Sequence, residues 1–88
     1  MLINRRGKYM KSVKIKLDNI ESVKKFVNIL THFDCDFDLV SNRYVIDAKS
    51  IMGIFSIDLK DSIQLDIHEE EPMITTILDN LKEYLVSK

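Results

Sequence analysis

Asp47-Ala48-Lys49-Ser50-Ile51-Met52-Gly53-Ile54-Phe55-Ser56-Ile57-Asp58-Leu59 is the stretch on which the reading of the fold turns. Ser50 stands where an N-cap is needed. Its hydroxyl accepts an otherwise unpaired amide of the following turn and so starts a short helix. Ile51, Met52, Ile54 and Phe55 give that helix more apolar side chains than one face can bury. Part of the set is therefore expected at the surface. A rim of Ile51, Met52 and Phe55, with Lys49 flanking a phosphorylatable Ser50, is the expected docking surface for a protein partner.

Upstream, Val13, Ile15 and Leu17 alternate with Lys14 and Lys16, the period of a half-buried strand over Ser12–Leu17. Asp18-Asn19-Ile20-Glu21 has the form of a capping box with Asp18 as N-cap. Ile20, Val23, Phe26, Val27, Leu30 and Phe33 then recur at helical spacing, which predicts a helix over about 19–33. From 34 to 40 the alternation returns, with Cys35, Phe37 and Leu39 on one side and Asp34, Asp36 and Asp38 on the other. Ser41-Asn42-Arg43 is a turn, and Tyr44–Asp47 is the returning strand of a hairpin. Downstream of the Ser50 helix, Ile63, Leu65 and Ile67 alternate with Gln64, Asp66 and His68, predicting a fourth strand. Glu69, Glu70 and Glu71 lead into Pro72, the expected first residue of a helix over about 72–86 buried through Ile74, Ile77, Leu78, Leu81 and Leu85. The order is β-α-β-β-α-β-α. Alternation in every strand predicts an α+β two-layer, open-faced sandwich: four antiparallel strands, helices on one face, solvent on the other.

The run Lys49 to Gly53, Lys-Ser-Ile-Met-Gly, resembles the segment after the third strand of the HPr family, the small phosphocarriers of the bacterial sugar phosphotransferase system. The resemblance extends from about Lys11 to Ser87, with Phe33 in support as the aromatic that ends the first long helix. HPr has the same element order; a ferredoxin-like domain shares its first six elements but has no reason to carry that run. The resemblance implies that Ser50 is the regulatory serine, modified by an HPr kinase-like enzyme. The modified protein would then join a transcription regulator or transport-system components in carbon catabolite control.

The family's carrier histidine sits in a Gly-x-His-Ala-Arg-Pro-Ala motif at the start of the first long helix. Counting back from Phe33 puts Asn19 at that position, with Ile20, Glu21 and Ser22 where Ala, Arg and Pro belong. Asparagine has no imidazole to accept a phosphoryl group, and Asp18 and Glu21 would repel one. His32, at the far end of that helix, reads as a residue complementing the helix C-terminus. His68, beside three glutamates, reads as a solvated strand-end residue. The chain is therefore expected to be no enzyme and to act through protein contacts. The alternatives are a phosphocarrier with nonstandard chemistry and a structural or oligomerising domain that uses neither phosphosite.

Composition sets the outer bounds. Eighty-eight residues with 45% apolar content make one small globular domain. A net charge of −1, from 13 basic and 14 acidic residues, supplies no field to recruit nucleic acid or membrane. The single cysteine, Cys35, alternates onto the core side and is expected buried and inert, which fits a reducing, cytoplasmic setting. No apolar run has the length of a membrane span. No cofactor or metal is expected: Asp34, Asp36 and Asp38 imitate the start of a calcium loop, but Leu39 and Val45 stand where its glycine and closing glutamate belong. Residues 1–10 are read as a disordered leader or misassigned start, and 11–88 as the domain. Arg5-Arg6, encodable as a purine-rich ribosome-binding sequence, precedes a second methionine, Met10.

Overall fold

Alternating strands dictate the sheet. In the computed structural model, which describes residues 9–42 and 44–86, β1 (Lys11–Ile15), β2 (Asp36–Ser41), β3 (Tyr44–Asp47) and β4 (Ile63–His68) form one antiparallel sheet in the order β1-β4-β2-β3. Val13 pairs with Leu65, Leu65 with Leu39, and Leu39 with Ile46, so one row of apolar side chains crosses all four strands. The adjacent row, Ser12–Asp66–Asp38–Asp47, points the other way. A slip of one residue would exchange the two rows and bury the aspartates, which fixes the register. The leader reading falls mostly on residues 1–8, outside the described residues, as does Arg43 of the hairpin turn. Its neighbour Asn42 takes the left-handed conformation (φ 54°) that a tight turn needs and that asparagine tolerates.

Three helices cover the apolar face: α1 (Ile20–Leu30), α2 (Ile51–Phe55) and α3 (Met73–Asn80). Val23, Phe26, Val27 and Leu30 of α1 and Ile74 and Ile77 of α3 are buried with Phe37, Leu39, Leu65 and Ile67 of the sheet. Burying each such side chain stabilises the fold by roughly 1.5–3 kcal/mol before the entropic cost of ordering it. Tyr84 closes the core edge-on to Phe26, with ring centroids 5.8 Å apart.

Three local expectations need correction. Asn19, not Asp18, caps α1: its side chain accepts from the Ser22 amide at 2.9 Å, and Ser22 Oγ accepts the Asn19 and Asp18 amides at 3.0 Å each. Asp18 instead pairs with Lys16 Nζ at 3.3 Å. This shift of one residue leaves Ile20 60% exposed on the first turn rather than in the buried stripe. Second, α1 ends at Leu30 and α3 at Asn80, both short of the expected limits. After α3 a 3-10 turn (Lys82–Tyr84) redirects the chain so that Val86 N donates to Lys14 O, Lys16 N donates to Tyr84 O, and Leu85 bridges Ile15. Pairing with the otherwise open edge of β1 outweighs one more helical turn. Pro72 is accordingly the residue before α3 rather than its first.

Third, His68 is not solvated. Its Nε2 lies 2.9 Å from Asp38 Oδ2, with the two side chains only 11% and 13% exposed, joining β4 to β2 on the open face. Beside it, Asp66 Oδ1 accepts from Ser12 Oγ at 2.6 Å and from Gln64 Nε2 at 2.8 Å.

The cap assignment is testable by urea unfolding. Asn19→Ala should lower stability by about 1 kcal/mol, whereas Asp18→Ala should change it by less than about half that; equal losses would restore Asp18 as the cap. Burial, with Glu83 alongside, pushes the Tyr84 phenol up to about 12. The folded state therefore holds this proton longer than the unfolded chain, whose phenols ionise near about 10. Stability should fall as pH rises from about 10 towards 12. Tyr84→Phe should flatten that fall, and an unchanged slope would contradict the assignment.

Candidate functional site

The turn that presents Ser50 is pinned residue by residue. Asp47 accepts twice, from Lys49 N at its Oδ1 (2.9 Å) and from Ser50 N at its carbonyl (3.0 Å). Ala48 is fully buried and its amide donates to Phe37 O. Ser50 is extended (φ −97°, ψ 107°), and its Oγ accepts from Gly53 N at 3.0 Å. A Cβ on residue 53 would stand 3.2 Å from that Oγ, tighter than ordinary contact, so glycine leaves room for the hydroxyl.

Helix α2 divides its apolar side chains between core and solvent. Ile54 is fully buried, and Ile51 is half-buried against the core. Met52 is 78% exposed and Phe55 41%. Five residues make little more than one turn, so side chains point in every direction and those facing away from the sheet have nothing to cover them. Helix α2 packs against α1, and Ile20, the first residue of α1, is exposed as well. Sequence periodicity missed Ile20; the signal lay in the competition between Asp18 and Asn19 for the cap.

Lys49 engages the end of α1 and the Phe37 ring of β2. Its Nζ donates to Phe33 O at 2.7 Å and lies 5.6 Å from the centre of the Phe37 ring. Asn19 sits at the start of α1 with its carboxamide occupied by the Ser22 amide, and no hydrogen bond joins it to Ser50. His32 lies just beyond α1, exposed, with Nδ1 2.8 Å from Asn28 O. Neither histidine is at the start of α1. Cys35 was expected buried and is half-buried. Burial, reinforced by the nearby Glu69 carboxylate, raises its thiol above the usual range.

An open-faced β-α-β-β-α-β-α sandwich whose second helix is capped by a serine defines the class of small α+β domain to which this site belongs. The chain belongs to the HPr family: the family described as "PTS HPr component phosphorylation site" matches residues 20–87, beginning one residue after Asn19. HPr proteins are phosphocarriers. Among solved structures, the chain is similar to HPr-C-His from Thermoanaerobacter tengcongensis, with 22% identity over 85% of this chain and 91% of that one and a TM-score of 0.64. That likeness shows the shared fold. No curated protein gives a significant match. Among the described residues, no helix is long and apolar enough to cross a membrane.

A raised thiol pKa makes the reactive thiolate scarce. Iodoacetamide at pH 8.5 should therefore alkylate Cys35 several-fold more slowly in the folded protein than in urea. Equal rates would show that the fold does not protect it.

Proposed function

We propose that this HPr-family protein acts as a regulatory partner through phosphorylation of Ser50 rather than by carrying phosphate on a histidine. The observation that carries the reading is the Lys-Ser-Ile-Met-Gly turn, in which the Ser50 hydroxyl caps a helix whose Met52 and Phe55 are exposed. A phosphate on Ser50 Oγ adds charge of about −2 and strong acceptor oxygens beside the free amides of that turn. It also sets that charge against the apolar rim of Ile51, Met52 and Phe55. A partner that buries the rim would be disfavoured, and one offering arginine beside an apolar pocket would be favoured. The partners fitting this role are an HPr kinase-like enzyme, a transcription regulator and transport-system components, all in a bacterial cytoplasm.

The same reading puts Asn19 at the carrier position. Its carboxamide is committed to the α1 cap, with Glu21 in the first turn. Membership of a phosphocarrier family favours a second reading, in which a histidine elsewhere accepts phosphate. His32 is the exposed imidazole, whereas the Nε2 of His68 is engaged by Asp38.

Two labelling reactions separate the readings. With HPr kinase and ATP, acid-stable label should enter the wild type at Ser50 and be absent from Ser50→Ala, which should also lose about 1 kcal/mol of stability with its cap. With phosphoenolpyruvate and the first enzyme of the system, neither histidine should be labelled. Acid-labile label on His32 or His68 would establish the carrier reading, and an unlabelled Ser50 would remove the regulatory one.

A further inference from the structure

Lys49 makes the longest-range polar contact of the Ser50 turn. Every other hydrogen bond of that turn is local or runs along the sheet, whereas Lys49 Nζ spans 16 residues to the Phe33 carbonyl. That carbonyl lies where α1 has just ended. Thr31 N, His32 N and Phe33 N still bond back to Val27, Ile29 and Leu30, and the Phe33 carbonyl accepts from Lys49. An ammonium there meets the negative end of the helix dipole, and at 5.6 Å it also lies over the Phe37 ring. Lys49 thus ties the residue immediately before Ser50 to two elements of the packed core, α1 through Phe33 and β2 through Phe37. With α2 only five residues long, little within the helix itself holds the turn in place.

We propose that Lys49 is a positioning residue for Ser50: its ammonium, held by the Phe33 carbonyl and the Phe37 ring, fixes the turn that presents the Ser50 hydroxyl to a kinase. The proposal rests on the regulatory reading above for its consequence, but its structural half is measurable without any kinase. It assigns Lys49 a role other than direct recognition of phosphate, since its ammonium is already engaged by the Phe33 carbonyl and the Phe37 ring.

The test uses the full chain with Lys49→Met, which keeps the aliphatic stem and loses the charge, Lys49→Arg, which keeps a cation, and Lys24→Met as an exposed-charge control. Amide exchange by NMR reads the Gly53 N–H that bonds to Ser50 Oγ against the Leu65 N–H at the sheet centre. In Lys49→Met the Gly53 amide should exchange roughly tenfold faster, the scale of a lost charge-assisted hydrogen bond, with Leu65 little changed. Lys49→Arg should restore most of the protection, and Lys24→Met should match the wild type. An unchanged Gly53 amide, or equal acceleration at Gly53 and Leu65, overturns the proposal. In parallel, HPr kinase should phosphorylate Lys49→Met with lower kcat/KM than Lys49→Arg. A kinase defect without a change at Gly53 would mean that the enzyme reads Lys49 directly, which also overturns it. If the kinase leaves wild-type Ser50 unmodified, the regulatory reading fails, and the exchange data alone decide the role of Lys49.

Discussion

The structure depends on the pairing of β2 with β4, the two central strands, which sets Leu39 against Leu65 at the middle of the sheet. That register sends Phe37, Leu39, Leu65 and Ile67 into the core and Asp36, Asp38, Asp66 and His68 to the open face. It also decides where the Ser50 turn falls. The Phe37 carbonyl takes the Ala48 amide and the Phe37 ring, turned inward, receives Lys49, so the chain leaving β3 is anchored before it reaches Ser50. A slipped register would remove both anchors along with the core. The Ser50 turn is therefore a consequence of sheet pairing as much as of its own sequence.

What the sequence made legible follows from how many residues vote on each feature. Strands alternate over several positions, and the four strands and the buried sides of the first, second and fourth follow from that repetition, whereas their order across the sheet does not; the Tyr44–Asp47 and Ile63–His68 limits agree residue for residue. Helix ends rest on one or two groups, and there the reading went astray. Asp18 and Asn19 are both good caps. The choice fell to Ser22, whose hydroxyl can close the box on Asn19 but not around Glu21. Leu85 fits the helical stripe of α3 equally well, yet the bare edge of β1 claims it. Local periodicity carries no information about an unpaired edge elsewhere in the fold.

The candidate site was legible for a different reason. Ser50 is read as a cap from stereochemistry, because a hydroxyl acceptor starts so short a helix, while the room that Gly53 leaves for that hydroxyl is visible only in the structure. The division between Ile54 inside and Met52 outside was foreseeable only as a necessity, since counting apolar residues cannot say which of them faces out. Long side chains were the least legible. Lys49 and His68 each have flexible or rotatable polar groups, and their partners, Phe33 and Asp38, lie 16 and 30 residues away. Such contacts are decided by tertiary proximity, which no local pattern contains.

The histidine–aspartate pair on the open face bears on function as well as on stability. An imidazole engaged by a carboxylate on one side and packed into a sheet must lose that contact before its Nε2 can attack phosphorus. Acidic neighbours at Asp36 and Asp66 add repulsion toward an incoming phosphoryl group. The Ser50 hydroxyl would give up one neutral hydrogen bond to a backbone amide, worth about 1 kcal/mol, with the Asp47 carboxylate as the acidic group of its own turn. The engagement of His68 is set by the register of β2 against β4, which puts it across from Asp36 and within reach of Asp38.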